Sequence, residues 1–182
     1  EGAVPAVLEA LQNTNSLQSP GYGEDALTAQ AKEQIRALCQ APDADVHFFV
    51  GGTQANLTVI AAALRPFEGV ISSDLGHINT HETGAVEATG HKVLTLKNTD
   101  GKISAAQIRQ AYEAHVGDVT HEHIVRPAMI YLSHPTELGT LYTRGELDAI
   151  HQVAQACGLK LFVDGARLAY GIAADETVDL PY

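Results

Sequence analysis

Apolar and polar positions along the chain switch between a period near 3.6 and a period near 2, the signatures of helix and strand. Val4 to Asn13 reads as a helix and leads into a polar, turn-rich stretch, Thr14 to Gly23. Glu24 to Gln40 is a stronger helix that starts at the carboxylate pair Glu24-Asp25, with Ala26, Ala29, Ile35 and Leu38 as its expected buried positions. Val46-His47-Phe48-Phe49-Val50 reads as a buried strand with His47 as a satisfied core residue, and Gly51-Gly52-Thr53 ends it. Helix resumes from Thr53 to Leu64.

The succession then repeats. Gly69 to Ser72 is a strand, Thr83 to Thr89 a short helix stopped at Gly90, and Lys92 to Leu96 another strand. Asn98-Thr99-Asp100-Gly101 has turn chemistry. Ser104 with Gln107, and Thr143 with Glu146, have capping-box spacing; the first opens a helix to about His115 and the second a helix that stops at Gly158. Ala128 to Ser133 and Leu159 to Val163 complete the strands. Strands alternating with helices imply an α/β fold, a three-layer α/β/α arrangement around a mainly parallel sheet. Residues 1–23 are expected to form an N-terminal helix and arm, and 24–182 one structural unit without repeats or linkers.

Composition narrows the partners. Of 182 residues 45% are apolar and 18% charged, the profile of a globular protein. The net charge of −11 disfavours nucleic acid or an anionic membrane as partner. No apolar run approaches the roughly 20 residues of a membrane span, and Glu1-Gly2-Ala3-Val4-Pro5 is unlike a signal peptide, so a cytoplasmic location is expected. Cys39 and Cys157 each sit near a helix end, where a small apolar residue would serve equally well.

In parallel sheets ligands lie beyond the carboxyl ends of the strands, and three such ends are chemically unusual. At Gly51-Gly52-Thr53 a helix N-terminus offers free N–H groups and the Thr53 hydroxyl to a phosphate, although a plain turn would use the same residues. At Asp164-Gly165-Ala166-Arg167 the acid follows an apolar strand. It could cap a helix, or face a pyridine nitrogen and keep it protonated, with Arg167 paired nearby to grip a carboxylate. Asp74 to Glu82 holds His77 and His81 with Glu82, but the zinc-protease order is His-Glu-x-x-His. No metal is expected, and stacking on a flat cofactor ring is the better use of His77.

These pieces resemble the threonine aldolase and β-eliminating lyase family of fold-type I pyridoxal-phosphate enzymes. The resemblance runs through Tyr22-Gly23-Glu24-Asp25, Gly52-Thr53-Gln54-Ala55-Asn56, Gly76-His77-Ile78 with Glu82, and Asp100-Gly101-Lys102. It continues through Pro135-Thr136-Glu137-Leu138-Gly139-Thr140-Leu141-Tyr142 and Asp164-Gly165-Ala166-Arg167-Leu168. It implies that 24–182 is part of a pyridoxal 5′-phosphate-binding large domain of the aspartate aminotransferase-like fold. It further implies that Gly52 and Thr53 hold the phosphate, His77 stacks on the ring, Asp164 pairs with its nitrogen and Arg167 binds the substrate carboxylate.

By the same resemblance, Tyr22 lies in an arm that completes the site across a homodimer or tetramer, and His134 stands where related sequences tend to carry asparagine. The family's Schiff-base lysine follows Asp-x-Ala-Arg by a few tens of residues, so it is expected beyond Tyr182. The implied reaction is cleavage of a β-hydroxy-α-amino acid to glycine and an aldehyde, with His77 and Asp164 as catalytic residues. β-Elimination on the same cofactor, and a non-catalytic fragment, are the alternatives.

Overall fold

A computed structural model describes residues 2–182. The chain divides into two compact units, 1–48 and Phe49–Leu180.

The first unit holds α1 (Pro5–Thr14) and α2 (Ala26–Leu38). Pro5 opens α1, where its missing N–H and fixed φ are tolerated. Asp25 caps α2, its carboxylate accepting from the Thr28 N–H at 2.9 Å and from the Thr28 hydroxyl at 2.6 Å. Neither helix contains a buried residue. Ala26, Ala29, Ile35 and Leu38, expected to be buried, are all exposed, Leu38 at 63%. An amphipathic stripe marks the face that can be buried, and burial needs another layer to cover it.

Val46 to Val50, expected as a buried strand, is irregular, with His47, Phe48, Phe49 and Val50 exposed, Val50 at 97%. Aromatic and β-branched residues supply only propensity; a strand also needs a neighbour for its N–H and C=O groups. Among the described residues no strand pairs with this segment.

The second unit runs α3 (Gly52–Ala63), β1 (Glu68–Ser73), α4 (His77–Thr80), α5 (Ala85–Ala88), β2 (Lys92–Leu96) and α6 (Ala105–Gly117). It continues through β3 (Arg126–Ser133), α7 (Arg144–Cys157), β4 (Lys160–Asp164) and α8 (Leu168–Ala174). The four strands form one parallel sheet in the order β2-β1-β3-β4. Strand alternation sends Ile71, Ile130 and Leu132 into a core with Ile103, Ile108 and Ile150 from the α6 and α7 side. Val70, Met129 and Tyr131 enter a second core with Ile60, Ile78 and Val86 from α3, α4 and α5. These are the three layers expected.

Local chemistry sets the element ends. Both capping boxes form, Ser104 with Gln107 at α6 and Thr143 with Glu146 at α7. Gly158 closes α7 at φ 64°, in the left-handed region where glycine has no Cβ penalty. At the expected turn, Asp100 and Gly101 have φ of 54° and 81°, and Thr99 and Lys102 exchange backbone hydrogen bonds. Among the described residues no helix is long and apolar enough to cross a membrane.

The topology also selects a crevice. From β1 the chain leaves through α4 and α5 towards β2, whereas from β3 it leaves through α7 towards β4, on the opposite face. Connections that diverge in this way open a gap at the carboxyl ends of the two adjacent strands.

Candidate functional site

That gap is bridged by hydrogen bonds. β1 ends at Ser73, and Gly76 lets the chain fold back tightly before α4: a Cβ at Gly76 would lie 2.1 Å from Ser72 Oγ. This turn places His77 at the start of α4. The His77 backbone N–H donates across the gap to Glu137 Oε1 at 2.9 Å, in the loop after β3.

Following the side chains from His77 leads round a circuit of hydrogen bonds that one hydroxyl–hydroxyl contact closes. His77 Nδ1 lies 2.8 Å from Glu82 Oε1, which also accepts from Asn56 Nδ2 at 2.6 Å. The same Asn56 amide reaches Asp164 Oδ2 at 3.2 Å. Asp164 Oδ2 accepts from the Tyr131 hydroxyl at 2.6 Å, and that hydroxyl is 3.4 Å from Ser133 Oγ. Ser133 Oγ donates to Glu137 Oε1, returning to the acceptor of the His77 N–H. The circuit ties the ends of β1, β3 and β4 to the second turn of α3.

Electrostatics fix the proton on one bond of the circuit. Burial raises the Asp164 pKa, but the Tyr131 hydroxyl, the Ala166 N–H and the Asn56 amide outweigh it, with help from nearby His77, and hold the carboxyl below its ordinary value. Tyr131 is pushed up, by burial first and by its bond to Asp164 second. Neutral phenol therefore donates to carboxylate. Asp164 Oδ1 accepts only the Ala166 N–H, at 2.9 Å, among the described residues, which leaves it capacity for one further donor.

The expected site residues divide into groups. His77 and Asp164 are joined by the circuit, three hydrogen bonds apart through Glu82 and Asn56. Gly52 and Thr53 form the first turn of α3, one turn before Asn56, where backbone N–H groups have no intrahelical acceptor. Arg167, half-buried, is the N-cap of α8. Its guanidinium makes no hydrogen bond or ion pair among the described residues, and the donors to Asp164 are neutral groups. Tyr22 belongs to the first unit, fully exposed, with a left-handed φ of 64°.

Asn56, Glu82 and Glu137 appear in the sequence only as parts of motifs, and Tyr131 and Ser133 only as strand residues. Alternation along β3 and the pairing of Ser133 with Asp164 are the signals that put them on one face. His134 falls on the other face, buried against the Tyr142 ring at 6.3 Å, beside a cavity of about 270 Å³. A wider groove of about 840 Å³ between the starts of α6 and α7 contains none of the circuit, and its Lys102 and Glu146 pair at 2.9 Å. Nor do three His, Cys, Asp or Glu side chains converge as metal ligands among the described residues.

Beyond the geometry, the sequence model of the β-eliminating lyase family matches residues 2–177. The chain belongs to the β-eliminating lyase family. A low specificity L-threonine aldolase of Pseudomonas aeruginosa is 34% identical over 174 residues, 94% of this chain and 49% of that protein. Its counterpart from a Pseudomonas species is 32% identical over the same shares. A solved structure of Leishmania major threonine aldolase superposes with a TM-score of 0.94 at 46% identity, over 100% of this chain and 52% of that one. The chain thus spans about half the length of the curated relatives it matches.

Proposed function

We propose that this protein, at full length, is a pyridoxal 5′-phosphate-dependent lyase that cleaves a β-hydroxy-α-amino acid such as threonine to glycine and an aldehyde. The observation that carries the reading is Asp164, a half-buried carboxylate held ionised by three donors and still able to accept a fourth. Bound there, the cofactor supplies an electron-withdrawing ring that delocalises the charge left on Cα when the Cα–Cβ bond breaks.

Each residue has a part. Asp164 holds the ring nitrogen protonated through Oδ1. Gly52 and Thr53 receive the phosphate at the positive end of α3. His77 would stack on the ring, and Arg167, unpaired among the described residues, would grip the substrate carboxylate bidentately. Residues 24–182 contribute to the cofactor-binding large domain. The reading includes a cytoplasmic homodimer or tetramer in which Tyr22, exposed on a left-handed turn, completes a neighbouring site.

Purified full-length protein supplied with threonine and the cofactor is expected to release glycine and acetaldehyde in equal amounts. Release of ammonia and a 2-oxo acid without glycine would replace this reading with β-elimination.

A further inference from the structure

We infer that Glu82 is a positioning residue, which fixes the tautomer and orientation of His77 and leaves an unprotonated Nε2 to accept the substrate's β-hydroxyl proton. This rests on the reading of the site as one that cleaves a β-hydroxy amino acid.

The Asn56 amide assigns the protons. Its Nδ2 lies within hydrogen-bond reach of two acids, Glu82 Oε1 at 2.6 Å and Asp164 Oδ2 at 3.2 Å. Turning the amide over would aim its oxygen at two acid oxygens, so both N–H bonds donate. Glu82 Oε1 is then an acceptor, and the His77 Nδ1 that lies 2.8 Å from it carries the hydrogen. A neutral imidazole protonated at Nδ1 has its lone pair at Nε2.

Glu82 is also an expensive way merely to fill space. It is 3% exposed, and its Oε2 is buried without a partner among the described residues. Burying such an oxygen unsatisfied is unfavourable, whereas an apolar side chain of similar size would pack without that penalty. His77 by contrast keeps 39% of its side chain exposed. The charged and titratable groups around it are Glu82, His81 stacked at 5.5 Å, Glu137 on its backbone N–H, and Asp164 acting through its charge. Among the described residues only Glu82 holds the ring edge.

The step balances as a retro-aldol cleavage. The β-hydroxyl proton passes to Nε2, the O–H electron pair becomes the second C–O bond of the aldehyde, and the Cα–Cβ pair stays on the glycine carbon until a proton returns.

The test uses full-length protein, unmodified and as Glu82→Leu and Glu82→Gln. Nitrogen–proton correlation spectra of the His77 ring, recorded without substrate, should show Nδ1–H in the unmodified protein and in Glu82→Gln, whose amide oxygen still accepts. In Glu82→Leu the population should move towards Nε2–H. Steady-state cleavage should lose about 100-fold in kcat in Glu82→Leu and about 10-fold in Glu82→Gln, with KM and cofactor affinity within about 3-fold of the unmodified values. An Nε2–H ring in the unmodified protein overturns the inference whatever the variants do. So does wild-type kcat in Glu82→Gln, which decides the matter if Glu82→Leu does not fold. The spectra need no turnover, so a failure to cleave threonine would sink the functional reading and leave the tautomer result standing.

Discussion

Helices α2 and α7 are nearly equal in length, 13 and 14 residues, and each begins with a side-chain cap. Yet α7 buries Ile150, Val153, Ala154 and Cys157, while α2 buries nothing. Both sequences carry an apolar stripe. Only α7 has a sheet beneath it within its own unit, where Ile130, Leu132 and Leu161 meet its inner face. Periodicity therefore states a capacity for burial, and a second layer of structure converts it into stability.

Substitutions can break or sharpen this comparison. The largest effect is expected for Ile130→Ala at the centre of the sheet, about 2–5 kcal/mol of unfolding free energy in urea titration, from lost transfer energy and the cavity left behind. A loss below about 1 kcal/mol would mean the core is not where the sheet places it. Next is Asn56→Leu, which leaves the buried Glu82 and the half-buried Asp164 without their shared donor, for an expected loss of about 1–3 kcal/mol. That loss should shrink on acidification, because the amide favours ionised Asp164.

A smaller effect belongs to Tyr131→Phe. The folded pKa of Asp164 is depressed, so its contribution to stability is complete above the ordinary carboxylate range near pH 4 and is lost as pH falls through the folded value. Removing the Tyr131 hydroxyl raises that folded value and should move the acid-unfolding midpoint to higher pH. An unshifted midpoint in circular dichroism would show that the hydroxyl does not hold the carboxylate. The smallest effect is expected for Leu38→Ala in α2, within about 0.5 kcal/mol of the unmodified protein. A loss as large as that of Ile130→Ala would erase the contrast between the two helices.

Sequence reading succeeded where the cause is local. The strands at Gly69, Lys92, Ala128 and Leu159 are short apolar runs bounded by turn residues, and both capping boxes depend on residues three apart. It failed where the cause is distant. Val46 to Val50 has the composition of a strand but no neighbour to pair with, and α2 has a stripe but no cover.

The candidate site shows the same division. His77 and Asp164 could be picked out because each follows an apolar strand with chemistry that strands rarely carry there. The bonds that join them span 26 residues from Asn56 to Glu82, 108 from Asn56 to Asp164 and 60 from His77 to Glu137. Such contacts depend on strand order, which hydrophobic pattern does not encode. Closeness along the chain is no guide either: Arg167, three residues from Asp164, makes no bond to it, and the side-chain donors that reach the acid come from β3 and α3.

The proposed role of the circuit at the ends of β1, β3 and β4 is to present the Asp164 carboxylate to a protonated pyridine nitrogen. A crystal structure of the full-length protein with pyridoxal 5′-phosphate tests it most directly. The ring nitrogen should lie about 2.7–2.9 Å from Asp164 Oδ1, with the phosphate on the backbone amides of Gly52 and Thr53. A cofactor bound elsewhere, with Asp164 still engaged only by Tyr131, Asn56 and Ala166, would contradict it.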